Sequence, residues 1–168
     1  MKYSFTSKAL HWIMSVMIII MLCIGYTLDS IKDNKFFWIN LHKSVGLLIL
    51  ILLLIRIIVR LSSKYPTLPK NTPAIIVTVS KLNIGGLYLL MLIMPISGLL
   101  TSIFYGYNVS FFGLFEIASF GKYYSAANTT NLIHQISSYC LVILICVHIC
   151  GGLMHHFIFK DNVLKRMI

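Results

Sequence analysis

Four long apolar segments restrict what this chain can fold into. They run over residues 9–28, 41–61, 82–104 and 132–157, and each is close to the ~20 residues that a membrane-spanning helix needs. Only 11% of all residues are charged, against about 25% in a soluble domain. Because lipid satisfies no backbone hydrogen bonds, such segments must be helical. The sequence predicts an all-α membrane protein, one domain over residues 1–168 that forms a bundle of four transmembrane helices.

The distribution of Lys and Arg predicts the orientation. Ten basic residues fall on one side of the predicted helices, namely Lys2, Lys8, Arg56, Arg60, Lys64, Lys70, Lys81, Lys160, Lys165 and Arg166. The other side has four, which are partly offset by acidic neighbours: Lys32, Lys35, Lys43 and Lys122 beside Asp29, Asp33 and Glu116. The positive-inside rule then places both termini in the cytoplasm. Since these charges sit at helix ends, the net charge of +10 calls for no nucleic acid partner.

The segments between the predicted helices carry further signals. Three prolines between residues 62 and 81 argue against helix there. The connection 105–131 is aromatic and sparsely charged, so we expect a short helix lying at the membrane interface. Within the third segment, Pro95 predicts a kink and Gly98 close helix packing. The first segment is too long for a signal peptide and has no A-x-A-like cleavage site, so we expect it to be retained.

Histidines are the most informative residues inside the apolar segments. His134 and His148 lie fourteen residues apart, so on a helix both rings leave one face, about 21 Å apart along the axis. The predicted topology puts His42 at the depth of His134, near the outer face, and His11 at the depth of His148. Histidine in lipid is costly and usually needs a partner or ligand, and two axial imidazoles can hold a haem iron. We therefore expect two haem b groups ligated by these four residues.

Three further residues fit such a site. Gly25 follows His11 by fourteen residues, and Gly46 follows His42 by one helical turn, so both could leave room for a porphyrin. Arg56, fourteen residues after His42, could bind haem propionates at the cytoplasmic end. Ordinary positive-inside anchoring explains Arg56 equally well. The four cysteines form no C-x-x-C or C-x-x-C-H motif, which excludes covalent haem attachment of that type.

A second group of polar residues lies toward the cytoplasmic end. His155 and His156 could donate a hydrogen bond or a proton to a quinone carbonyl, and Trp12 could pack on the quinone ring. The alternative is that all three are interfacial residues flanking a membrane boundary. Both interpretations remain open at this stage.

The chain resembles the bacterial cytochrome b561 family, small four-helix di-haem membrane cytochromes. The matching segments are LHW at 10–12, LHKSVG at 41–46, LLLIRIIVRL at 52–61, LYLLMLIMPISGLL at 87–100, IHQISSY at 133–139 and VHICGGLMHHFIFKDNVLKRM at 147–167. The resemblance implies the haem ligands His11, His42, His134 and His148, quinone contact near His155 or His156, and a location in the bacterial inner membrane. Family members often have a histidine early in helix 3, whereas this chain reads SKLNIGGLYLL there.

Two functions follow from this resemblance. The first is an autonomous oxidoreductase that oxidises superoxide outside and reduces ubiquinone. The second is an electron-transfer and anchoring subunit that links a partner dehydrogenase, as protein electron donor, to the quinone pool. A His-lined metal or proton carrier without haem is a third reading, but none of the four apolar segments contains a carboxylate for it.

Overall fold

The four apolar segments form four long α-helices. The computed structural model describes residues 2–63, 66–69 and 72–167, and its helices are long and apolar enough to cross a membrane: α1 (Phe5–Thr27), α2 (Lys35–Ser62), α3 (Ala74–Phe104) and α4 (Tyr124–Phe157). A 3-10 turn, Leu164–Arg166, follows α4. The predicted all-α architecture with four candidate spans is confirmed. Two basic residues counted for the orientation, Lys64 and Lys70, lie outside the described residues.

All four helices begin earlier than the sequence predicts. α1 starts at Phe5 rather than at residue 9, and α2 at Lys35 rather than 41. α3 starts at Ala74 rather than 82, and α4 at Tyr124 rather than 132. The expected non-helical stretch 62–81 is therefore wrong for residues 74–81. Pro73 stands at the N-cap of α3, a position that loses nothing by lacking an N–H. The first turns of α4, YSAANTTN, are polar and escape a hydropathy argument, whereas the first turns of α3, AIIVTV, are apolar and were assigned to a loop because of the prolines before them.

The predicted interfacial helix within residues 105–131 is wrong. The structure has an antiparallel hairpin there, β1 (Val109–Phe111) and β2 (Phe115–Ile117), and the rest of the connection leads into the first turns of α4. Phe112 and Gly113 have φ values of +50° and +76° in the turn. Such left-handed backbone favours glycine and stops a helix, while β-branched and aromatic residues suit short strands.

The hairpin is fixed to α2 by one buried hydroxyl. Ser44 Oγ donates to the carbonyl of Ser110 at 2.9 Å and accepts from the N–H of Phe112 at 3.1 Å. Ser44 is buried, and so is Val109 at the start of β1. The hairpin thus lies over the end of α2 that carries His42.

The helices meet around a compact apolar centre. Buried side chains from α1, α2 and α4 form it, namely Met14, Ile18, Met21, Leu22, Ile49, Leu53 and Leu141. α3 packs most extensively on α4, where the buried Asn83 donates from Nδ2 to the carbonyl of Leu144 at 2.9 Å. This hydrogen bond satisfies the side-chain NH₂ of Asn83, which lies in the stretch SKLNIGG. Many other apolar side chains point outward, as expected for helices that face lipid.

We predict that Ser44→Ala destabilises the protein by about 1 kcal/mol, because it removes two partly buried hydrogen bonds, to the Ser110 carbonyl and from the Phe112 N–H. Thermal unfolding in detergent measures the loss, and hydrogen exchange at the Phe112 amide should accelerate. Ser62→Ala is the matched control in the same helix, since Ser62 is exposed and bonds only to its own helix at Ile58. Equal unfolding of both variants would contradict the tethering role of Ser44.

Candidate functional site

Four histidines meet as two pairs of rings. His42 and His134 have ring centroids 6.2 Å apart with planes at 79°. His11 and His148 have centroids 6.1 Å apart with planes at 70°. These are the pairs that the depth argument brings together. His148 is the most open of the four; the other three are partly buried.

The spacing within each pair suits a shared metal ion. Two imidazoles bound on opposite sides of one metal, each by a bond of ~2 Å, have ring centroids roughly 6 Å apart. Within the described residues no group of three or more His, Cys, Asp or Glu could hold a metal. A pair of axial imidazoles with a macrocycle supplying the remaining ligands, as in haem, fits this arrangement. The ligand role of the four histidines stays a prediction.

In the outer pair, α3 holds the ring of His134. Its Nδ1 donates to the carbonyl of Met94 at 2.8 Å, because a carbonyl can only accept. The neutral ring therefore has its free nitrogen at Nε2, and metal-binding histidines commonly have their other N–H held in this way. A Cβ on Gly98 would lie 2.9 Å from Nδ1 and Cε1 of the same ring. The close packing expected at Gly98 is confirmed, and α3 continues through Pro95.

The second ring of the outer pair lies against α1. A Cβ on Gly25 would lie 3.2 Å from Cε1 of His42, so Gly25 makes room for this ring, whereas the sequence argument assigned that room to a porphyrin. Nδ1 of His42 is buried and has no hydrogen-bond partner in the described part of the chain. A buried ring nitrogen left without partners is costly, which favours a ring held for ligand binding.

Both outer rings line a small apolar cavity. Its volume is about 50 Å³. Besides His42 and His134 it is lined by Ile18, Met21, Leu22, Gly46, Ile49, Met91, Met94, Pro95 and Leu141. A Cβ on Gly46 would meet nothing within 4 Å. Gly46 thus borders the same apolar cavity as the two rings, in an environment of low dielectric constant.

In the inner pair, Arg56 contacts a histidine directly. Its Nη2 lies 3.0 Å from Nδ1 of His11, and its Nε donates to the Tyr88 hydroxyl at 3.2 Å. Guanidinium only donates, so Nδ1 of His11 accepts and the neutral ring has its hydrogen on Nε2. This tautomer is opposite to that of His134. Iron binding through Nε2 would require the proton to move to Nδ1 and Arg56 to turn away.

Arg56 also borders a polar pocket where an anion could replace this contact. The pocket has a volume of about 30 Å³ and is lined by Tyr3, Ser4, Ser7, Arg56, Val59, Arg60, Ser63, Tyr88 and Met167. Both guanidinium groups lie over the Tyr88 ring, at 5.9 Å for Arg56 and 5.6 Å for Arg60. The guanidinium groups of Arg56 and Arg60 in this lining suit a carboxylate ligand such as a propionate. Sequence reasoning missed Tyr88, which carries no signal beyond its place in an apolar helix.

The three residues predicted for quinone contact differ in their surroundings. His155 is only 4% exposed, its Nδ1 lies 2.6 Å from Oδ2 of Asp161, and its Nε2 is buried without a partner among the described residues. His156 is half-buried, with its ring 4.8 Å from that of Phe157. Trp12 is half-exposed, and its Nε1 donates to the carbonyl of Met167 at 2.9 Å. The structure gives no direct contact among the three.

Asp161 is a polar partner that sequence reasoning missed. Its only sequence signal is its place six residues after His155 in HHFIFKDN. Burial alone would raise the pKa of this carboxyl. Hydrogen bonds from the Val163 N–H and the His155 ring, with the charge of Arg166 nearby, outweigh burial and hold the pKa of Asp161 below its usual value.

Four apolar helices with opposed histidine pairs define a class, the membrane cytochromes of b type. The chain belongs to the prokaryotic cytochrome b561 family, whose model matches residues 2–168. It is 31% identical to "Cytochrome b561 homolog 2" of Escherichia coli K12, over 99% of this chain and 91% of the relative. It is 29% identical to "Probable superoxide oxidase CybB" of Yersinia pestis, over 99% and 96%. Family membership implies haem b, electron transport and a multi-pass location in the inner membrane.

We predict that Gly98→Ala disturbs the outer site, because the added methyl group would lie 2.9 Å from a ring fixed by its bond to Met94. The haem-to-protein ratio from a pyridine haemochrome assay should fall by about one haem per chain, with normal expression. Gly85→Ala, in the same helix with open space around its Cβ, is the matched control. Full haem content in the Gly98 variant would show that His134 does not need this close approach.

Proposed function

We propose that this protein moves single electrons across the inner membrane with two b-type haems as its cofactors. His42 and His134 would hold the outer one, His11 and His148 the inner one. Bound haem supplies the one-electron redox chemistry. The observation that carries the proposal is the pairing of four imidazoles at 6.2 and 6.1 Å, with two of them on one face of α4 about 21 Å apart.

The orientation follows from charge. Both termini would lie in the cytoplasm, because the Lys and Arg residues concentrate at that end of the helices. The inner histidine pair then lies beside Arg56 and the polar pocket, and the outer pair lies beneath the hairpin. Residues 1–168 would act as one membrane-embedded unit.

Superoxide is the electron donor that we propose. One relative carries the name of a probable superoxide oxidase. Next to His42 in the sequence, Lys43 is partly buried, with Nζ 5.5 Å from the Tyr107 ring. Nζ of Lys35 lies 3.8 Å from Oδ1 of Asp29, and the opposite charges of this exposed pair largely cancel each other at a distance. Lys32, Lys43 and Lys122 then remain on this side to attract a small anion toward the outer pair.

Ubiquinone is the proposed acceptor, reached from within the lipid at the inner end. Of the two adjacent histidines, His155 is the better candidate for hydrogen bonding to a quinone oxygen, because its Nε2 is buried and unpartnered among the described residues. His156 has no such buried atom. Trp12 would contribute its ring face, since its N–H is bonded to Met167.

The deciding experiment uses purified protein in detergent. A pyridine haemochrome assay should give two b haems per chain, superoxide should reduce them, and a short-chain ubiquinone should reoxidise them. Two haems that ignore superoxide but react with quinone would overturn the donor and favour the electron-transfer and anchor subunit with a protein donor. Absence of haem would contradict the proposal as a whole.

We predict that His148→Ala removes the inner haem and abolishes quinone reduction, while the outer haem still binds and is reduced by superoxide. Each imidazole pair would hold its own iron, so the loss should be confined to one site. His42→Ala is the reciprocal variant and should remove only the outer haem. Spectra recorded at each redox state distinguish the two. Normal binding of both haems in either variant would show that the ligand pairing is wrong.

A further inference from the structure

The chain after α4 folds back onto the end of that helix. Lys160 turns the backbone with a φ of +50°, and the N–H of Asp161 then donates to the carbonyl of His155 at 3.1 Å. The 3-10 turn Leu164–Arg166 packs on α4, with Leu164 close to Gly152. This geometry brings the Asp161 carboxylate onto the ring of a buried histidine.

Both carboxylate oxygens of Asp161 are engaged. Oδ2 lies 2.6 Å from Nδ1 of His155, and Oδ1 accepts from the N–H of Val163 at 2.9 Å. Because a carboxylate only accepts, Nδ1 of His155 carries a hydrogen in either charge state of the ring. The second ring nitrogen, Nε2, is buried and has no partner among the described residues. Nε2 of His155 is therefore the ring nitrogen that is available to give or take a proton.

The charge distribution makes this pair unusual for the chain. The sequence has four Asp and Glu residues. Three of them, Asp29, Asp33 and Glu116, lie in or beside the connections assigned to the outer face. Asp161 is therefore the one acidic side chain at the opposite end of the bundle, and it binds a histidine although the charge of Arg166 is near. Arg166 donates instead to the carbonyl of Thr67.

We propose that Asp161 is a positioning residue, which holds His155 in the orientation and tautomer from which Nε2 passes a proton to a quinone oxygen. This inference rests on the proposed reduction of ubiquinone. An anion at 2.6 Å compensates the charge of the imidazolium form, as a carboxylate does for the histidine of a hydrolytic triad. His155 touches the quinone, and Asp161 acts only through His155.

The proton balance is simple. Conversion of a quinone into a quinol takes two electrons, which the transmembrane electron transfer supplies, and two protons. His155 supplies one of the two protons: the N–H bond at its Nε2 breaks, an O–H bond forms on the quinone oxygen that faces it, and neutral His155 keeps its Nδ1 hydrogen, which it donates to Asp161. The quinone oxygen at the opposite end of the ring takes its proton from water, and water on the cytoplasmic side returns a proton to Nε2 before the next turnover.

The variant Asp161→Asn separates this role from a structural one. An asparagine has only one acceptor oxygen, so keeping the bond from Val163 turns its NH₂ toward Nδ1 of His155. The neutral ring would then carry its hydrogen on Nε2. If the ring were protonated, its Nδ1–H and the NH₂ of the asparagine would be two donors that point at each other. An analogous amide substitution in a hydrolytic triad enforces the wrong tautomer while leaving the geometry intact.

The test follows quinone reduction alone. Wild-type protein and variants, pre-reduced with dithionite, are mixed anaerobically with a short-chain ubiquinone over a range of concentrations. A positioned general acid contributes about 10²–10⁴-fold, so Asp161→Asn should lower the saturating rate by ~10-fold or more, with little change in the half-saturating concentration and in haem content. Asp161→Glu, which keeps a carboxylate, should retain more of the rate. Asp33→Asn loses the same charge at the other end and should behave as wild type.

The two proposals fail in different ways. If pre-reduced wild type is not reoxidised by ubiquinone, the proposed quinone reduction is wrong. If wild type is reoxidised and Asp161→Asn matches it, only the role of Asp161 is wrong. A double variant with His155→Gln should be no slower than His155→Gln alone, since residues that act as one unit are not additive. A multiplied loss in the double variant, or reduced haem content in Asp161→Asn, would overturn the positioning role.

Discussion

Imidazole rings inside a hydrocarbon layer have no water to bond, so their nitrogens need partners from the protein or from a ligand. The structure supplies a different partner each time. His134 donates to a carbonyl of α3, His11 accepts from Arg56, and His155 donates to Asp161. Nδ1 of His42 remains buried without a partner among the described residues. The spacing of residues along the helices, the close approaches at glycine residues and the fold-back after α4 all position the histidine rings for these contacts.

The two ring pairs differ in how ready they are for a metal. The outer pair has apolar walls, and the carbonyl of Met94 already fixes His134 in the tautomer with Nε2 free. The inner pair has the opposite tautomer at His11, imposed by a guanidinium that only donates. An anionic group in the polar pocket would draw Arg56 away from His11 and release that nitrogen. Haem propionates have the required charge. The haem that His11 would ligate would therefore also release His11 from Arg56.

Hydropathy and helical periodicity predict much of this molecule. Apolar length locates four helices, and a spacing of fourteen residues puts His134 and His148 on one face of α4, because both depend only on local geometry. The ring pairs follow only when the predicted topology assigns His42 and His11 to the same depths. The hairpin could not be predicted in this way, since it depends on positive φ at Phe112 and Gly113 and on a buried bond to Ser44. Tyr88 and Asp161 were missed for a related reason. Each acquires its partner only when separate parts of the chain pack together.

All three polar sites lie along α4 at multiples of a seven-residue interval. Positions 134, 141, 148 and 155 are seven residues apart, so they drift by only ~20° per step and rise by about 10.5 Å. The stripe reads His, Leu, His, His. Leu141 is buried and lines the cavity of the outer pair. His134 and His148 meet rings from α2 and α1, and His155 lies one further step toward the membrane boundary. One continuous helix thus sets the distance between the outer pair, the inner pair and the Asp161–His155 pair, which makes the spacing of the sites a property of the α-helix itself.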